Sequence, residues 1–200
     1  MPRISAPTVA QHRAAQRRAL LDAARAILAE GAGTAPGPAD VTARAGLARS
    51  SFYQYFRSRQ DLLDALVQDL FPRWSQRVVG EMAEASGPGE RVLAYVDANL
   101  RLVAEGEHTI ARALAAVAPG EGLDAGSKDM HQRLLHPLID ALGEMGASDP
   151  AAIAEMINAV VYAASRMIES GSAEQAVRSR ARELLAPYLL NGRPDGGAAR

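Results

Sequence analysis

At 200 residues the chain is long enough to bury a core without staples. It has no cysteine, which excludes disulfides, thiolate metal sites and a cysteine nucleophile. The net charge of −1 hides a split: residues 1–60 hold nine arginines against three acids, whereas residues 61–200 hold 13 basic and 20 acidic groups, so a basic head that suits a polyanion sits on an acidic body.

The opening MPRISAPTVAQHRAAQRR lacks the apolar core of a signal peptide. The longest uncharged apolar run, 113–118, is far short of the ~18 residues of a membrane span. A cytoplasmic protein is expected.

Almost every segment has helical period. A first helix is predicted over 9–30, with Leu20, Ala24, Ile27 and Leu28 on one face. Gly31 and Gly33 should end it. Pro36-Gly37-Pro38 is a turn into a short helix over 38–45, since proline suits a first helical position. Ala45-Gly46-Leu47 breaks that helix, and a third runs over 49–55. Ser58 is an expected N-cap, with Asp61 as its reciprocal acid, opening a long helix to about residue 82.

The run Ser86-Gly-Pro-Gly89 is the clearest linker. Helices follow at 89–105 and 107–118, with 119–126 read as loop. A helix over 127–145 carries Pro137 and should kink there. Asp149 caps a helix over 150–170, with a wide apolar stripe from Ile153 to Ile168. A last helix over 173–190 carries Val177, Leu184, Leu185, Tyr188 and Leu189. Residues 191–200 are Gly-rich and polar, a composition expected to be disordered, and the N-terminal eight residues should fray. No segment alternates as a strand would, so the fold class is all-α.

The informative stretch is 38–63, PADVTARAGLARSSFYQYFRSRQDLL. Two short helices joined by a turn at Gly46 make a helix-turn-helix, in which a side chain at the turn would clash. Val41, Ala45, Leu47, Phe52 and Phe56 form its apolar wedge. The second helix then offers Arg49, Ser50, Ser51, Tyr53 and Tyr55 to a DNA major groove. Arg49 can make a bidentate contact to guanine, and the two serines can reach base edges. Tyr53 and Tyr55 can donate to phosphates. Arg57, Ser58 and Arg59 stand at the start of the long helix, where backbone N–H groups and the positive dipole end suit a phosphate. Arg13 and Arg17, one turn apart on the first helix, and Arg44 are further phosphate candidates.

The run AG-LARSSFYQYFRSRQDLLDAL closely resembles the DNA-binding domain of the TetR/AcrR family. It supplies the Ala45-Gly46 turn, Tyr53-x-Tyr55-Phe56 and the Ser58-Arg59 step into a long helix. The resemblance covers roughly residues 9–70. It departs at Gly37-Pro38, where the family usually has a threonine and a hydrophobic residue, at Thr42 in place of alanine, and at Arg59 in place of lysine.

This resemblance implies a three-helix DNA-binding domain over 9–57 and a helical effector-binding and dimerisation domain over 58–190. It also implies a homodimer through the last two helices that reads a near-palindrome. The long helix from Ser58 is then the expected lever between effector and reader. The effector pocket is expected between the long fourth helix and the helices at 89–105, 107–118, 127–145 and 150–170. Candidate lining groups are Trp74, Tyr95 and Asn99, then His108, Arg112 and His131, then Asn158, Tyr162 and Arg166, for an apolar, mostly uncharged ligand. No cofactor or metal is expected.

Two other functional classes compete with this one. For an enzyme, His131 and His136 are five apart and do not share a helical face as i, i+4 ligands do. No carboxylate pair, phosphate loop or nucleophile motif appears. A helical adaptor without sequence-specific DNA binding is the alternative, and salt-dependent duplex binding separates it from a regulator.

Overall fold

The computed structural model describes residues 6–30, 35–118 and 120–191, and among these no strand occurs. The helices are α1 (Ala6–Ala29), α2 (Pro38–Arg44), α3 (Arg49–Phe52), α4 (Arg59–Ala83), α5 (Pro88–Ala104), α6 (Glu107–Val117), α7 (Glu121–Glu144), α8 (Pro150–Glu169) and α9 (Glu174–Leu190). The all-α reading therefore holds. The expected stop at Gly31 and Gly33, Pro119, residues 1–5 and the tail from 192 lie outside the described residues.

Two compact units form. One comprises Met1–Leu70 with His108–Gly126, the other Phe71–Glu107 with Ser127–Arg200. The division falls inside α4, next to its internal Pro72.

In the first unit, α1 buries Leu20, Leu21, Ala24 and Leu28, while Ile27 is half-buried. The wedge of the helix-turn-helix is Val41, Phe52 and Phe56, all essentially inaccessible. Each ring of this size contributes roughly 1.5–3 kcal/mol by leaving water. Ala45 and Leu47 are only half-buried and seal its edge. Gly37 is the N-cap of α2 with extended backbone; its carbonyl accepts from Val41 N at 3.0 Å, and Pro38 occupies the first turn. Thr42 is buried, and its hydroxyl donates back to the Pro38 carbonyl at 2.8 Å, so the departure from alanine is absorbed inside α2.

The turn at Gly46 has a different cause from the one expected. A Cβ there would meet nothing within 4 Å, so no clash selects glycine. The requirement is the backbone, at φ +68°. Leu47 N donates to Thr42 O at 2.9 Å and Gly46 N to Ala43 O at 3.2 Å, the paired bonds that close a helix with a left-handed residue.

α3 is shorter than predicted. After Phe52 the chain tightens into i→i−3 turns, with Gln54 N bonded to Ser51 O and Tyr55 N to Phe52 O. α7 is longer than predicted and begins at Glu121, where a loop was expected. Pro137 lies inside it.

In the second unit α5 packs against α8 and α9. Gly89 marks the closest approach: a Cβ there would lie 2.0 Å from the Leu189 carbonyl oxygen. Asp149 caps α8 as predicted, accepting from Ala152 N at 3.0 Å. The wide stripe of α8 splits in two. Ala154, Ile157 and Ala164 are buried, whereas Met156 and Tyr162 are 69% and 63% exposed. α9 does likewise, burying Val177, Ala181 and Leu189 and exposing Leu184 at 65%. By length and composition alone α8 could cross a membrane.

Candidate DNA-binding face and effector site

The candidate reading face runs from the end of α2 to the start of α4. Phe52 and Phe56 anchor it from beneath, their ring centroids 5.6 Å apart. Phe52 also meets the Tyr53 ring edge-on at 5.4 Å, and Tyr53 is 58% exposed. Arg49, Ser50, Arg57, Ser58 and Arg59 are exposed, and Ser51 is half-buried. The side chains of Arg49, Arg57 and Arg59 have no partner among the described residues.

The start of α4 is capped from within. Ser58 Oγ accepts from Asp61 N at 3.1 Å, and the Asp61 carboxylate accepts from Arg57 N at 2.8 Å. A carboxylate already faces the positive dipole end that was expected to meet a phosphate.

Other predicted contacts are engaged inside the unit. Arg44 pairs with Glu30. Arg17 stands over the Phe56 ring, 5.5 Å from its centroid. Tyr55 donates its hydroxyl proton to Gln16 Oε1 on α1 at 2.5 Å. Arg13 is exposed. α1 is in turn fixed to α4 through Arg18 and Asp69 at 3.0 Å, with Arg25 3.9 Å from the same carboxylate. Gln16 was not singled out from sequence, because a half-buried glutamine among arginines carries no spacing signal.

The effector candidates divide. Trp74, Asn99, Tyr95 and Asn158 come together in the second unit. Trp74 Nε1 donates to Asn99 Oδ1 at 2.9 Å, Asn99 Nδ2 donates to Tyr95 O at 2.8 Å, and Tyr95 OH donates to Asn158 Oδ1 at 2.5 Å. This chain joins α4, α5 and α8. Burial pushes the Tyr95 phenol up to about 12. Tyr162 and Arg166 instead lie on the exposed side of α8, and exposed His131 bonds the Ser127 carbonyl of its own helix. His108 and Arg112 belong to the first unit.

A groove of about 1,090 Å³ also lies in the second unit, floored by α5 and walled by the end of α4 and by α9. Ion pairs line it. Arg178 grips Asp97 in two bonds of 2.6 and 2.7 Å, Arg101 pairs with Glu81, and Arg182 pairs with Glu90 at 3.1 Å. Sequence reasoning missed it, because the complementarity is between α5 and α9, some 80 residues apart.

Residues 20–66 match the family model of bacterial regulatory proteins, tetR family. An uncharacterised HTH-type transcriptional regulator of Mycobacterium tuberculosis is 26% identical over 182 residues, 90% of this chain and 87% of that protein. The HTH-type transcriptional repressor LfrR of Mycolicibacterium smegmatis is 38% identical over 91 residues, 46% of this chain and 43% of that one. Among solved structures, AibR in complex with isovaleryl coenzyme A and operator DNA superposes with a TM-score of 0.66 at 17% identity, over 86% of this chain and all of that one.

Proposed function

We propose that this chain is a TetR-type bacterial transcriptional regulator, which the match of residues 20–66 to that family's model supports, and that it is a homodimeric repressor released from a near-palindromic operator by a small molecule. The observation that carries the DNA-binding part is the cluster of unpartnered cations around the exposed Tyr53: Arg49, Arg57 and Arg59. Cations without carboxylate partners keep their full attraction for phosphates, and each phosphate neutralised releases counterions. Arg49 is assigned to a guanine edge, Ser50 and Ser51 to close approach at base edges, and Tyr53, Arg57 and Arg59 to the backbone.

The homodimer is assigned to the exposed sides of α8 and α9. Met156, Tyr162 and Leu184 are large apolar groups left in water by a single chain, and Ala159 and Ala163 beside them allow close helix approach. Glu155 and Arg166 share the exposed side of α8. Charges are costly in hydrocarbon, so a second copy suits this surface better than lipid. A two-fold dimer sets two readers about one DNA turn apart, roughly 34–36 Å.

The effector is assigned to the neighbourhood of Trp74, Tyr95, Asn99 and Asn158. These polar groups are neutral, and the second unit has no fully buried charged side chain among the described residues. An uncharged, mainly apolar molecule, such as the acyl part of a thioester, suits that chemistry; AibR was solved with an acyl coenzyme A. α4 contributes residues 59–70 to one unit and 71–83 to the other. A molecule that binds better when α4 shifts will favour a reader spacing that no longer fits the operator.

The test is fluorescence anisotropy with a duplex selected from a random pool, over a salt series. Wild type should bind selectively and weaken steeply with salt. Arg49→Ala should lose about 1–3 kcal/mol of discrimination at one base pair. Absence of duplex binding at any salt would sink the regulator and favour the adaptor.

A further inference from the structure

We propose that Gln16 on α1 is a phosphate donor of the DNA-binding face, and that Tyr55 is a positioning residue which holds Gln16 in that role. The inference rests on the DNA-binding reading above. It starts from proton counting. A tyrosine hydroxyl has one proton, and phosphate oxygens only accept. The Tyr55 proton is given to Gln16 Oε1 at 2.5 Å. While that bond stands, Tyr55 has nothing to donate to a phosphate.

The same bond leaves Gln16 with donors to spare. A glutamine amide has one acceptor oxygen and two N–H donors. With Oε1 facing Tyr55, both protons of Nε2 remain, and they have no partner among the described residues. Gln16 is half-buried, so its side chain is neither sealed inside nor loose in solvent. The bond also fixes which end of the amide faces inward.

The surroundings favour an anion. Arg13 and Arg17 are an i, i+4 pair on one face of α1, Gln16 borders that face three residues after Arg13, and both arginines are exposed. Arg17 lies over Phe56, which places this turn of α1 against the C-terminal end of the reader. A phosphate drawn by the two guanidiniums arrives beside the Gln16 amide. The assignment inverts two roles suggested by residue type alone: the tyrosine positions and the glutamine touches DNA.

The experiment uses the full chain with a tight duplex selected from a random pool and an unselected duplex, across salt. The variants are Gln16→Met, Tyr55→Phe, the double variant and Gln16→Glu, each checked by thermal unfolding. Gln16→Met and Tyr55→Phe should each weaken tight binding by about two- to tenfold, the range of one hydrogen bond. The double variant should be no weaker than the worse single one, because Tyr55 acts through Gln16. Gln16→Glu keeps an acceptor for Tyr55 but loses the donors and adds a negative charge. It should fold normally and weaken binding more than Gln16→Met, most at low salt.

If Tyr55→Phe weakens binding while Gln16→Met does not, Tyr55 is itself the donor and the proposal is overturned. If every Gln16 variant binds as wild type while Arg49→Ala loses selectivity, this proposal fails and the DNA-binding reading stands. If wild type binds no duplex, both fall.

Discussion

At the scale of single residues, Gly46 and Tyr95 make the clearest predictions. Gly46 turns the chain between α2 and α3 at φ +68° in open space. Gly46→Ala therefore adds strain without a clash, roughly 1–2 kcal/mol for a left-handed alanine. Gly46→Asn should recover part of this, because asparagine tolerates that conformation. Chemical denaturation of the two variants checks the order. The reverse order would mean that space rather than φ governs the turn. Tyr95 bears on pH. Its phenol is pushed from 10 to about 12 by burial, so the folded protein holds that proton more tightly than the unfolded chain. The stability it contributes is fully present below pH 10 and is lost as pH rises toward 12, by at most about 3 kcal/mol. Tyr95→Phe should lower stability at neutral pH by leaving Asn158 Oδ1 without its donor, and should flatten the alkaline decline. A decline of equal slope in both proteins would assign it to other groups. The wedge was legible in the sequence because Phe52 and Phe56 are apolar at i, i+4. Gln16 was not, because its role depends on a contact across 39 residues.

At the scale of helices, the 3.6-residue period located α1, α2, α4, α5, α6, α8 and α9 to within a few residues. Two boundaries went astray for physical reasons. α3 stops at Phe52 because the backbone bonds that follow tighten to i→i−3, Gln54 N to Ser51 O and Tyr55 N to Phe52 O, before Phe56 N returns to Phe52 O. α7 starts at Glu121 despite Gly122 and Gly126, each costing about 1 kcal/mol against alanine. The stripe on α8 showed amphipathicity but not which part faces inward, since apolar residues cover more than one side. How α5 meets α9 was equally hidden, and Gly89 now gives it a number. Gly89→Ala would push a Cβ against the backbone of Leu189, which cannot rotate away as a side chain would. α5 and α9 must separate, at about 1–3 kcal/mol or more. A melting temperature lower by roughly 5 °C is expected by calorimetry. An unchanged melt would mean that the two helices slide freely, contrary to the bidentate Arg178–Asp97 pair that fixes their register.

At the scale of the whole molecule, what a single chain leaves exposed constrains its assembly. Met156, Tyr162 and Leu184 occupy the outer sides of the last two helices. Substituting them should not harm the fold of one chain, because they are already in water. Met156→Glu together with Tyr162→Glu should therefore leave the helical signal and thermal unfolding of the single chain intact. In a two-fold interface the same changes would bring four carboxylates together away from water, a desolvation that close packing cannot offset. Sedimentation should then report a monomer, and affinity for a near-palindromic duplex should fall by about a hundredfold or more. Affinity for an isolated half-site should stay near that of the wild type, because Arg49, Tyr53 and the cations of α4 are untouched. A variant that remains dimeric would move the interface off α8. A monomer that keeps full affinity would separate operator binding from dimerisation altogether, since one reader would then supply all the contacts that two were proposed to share.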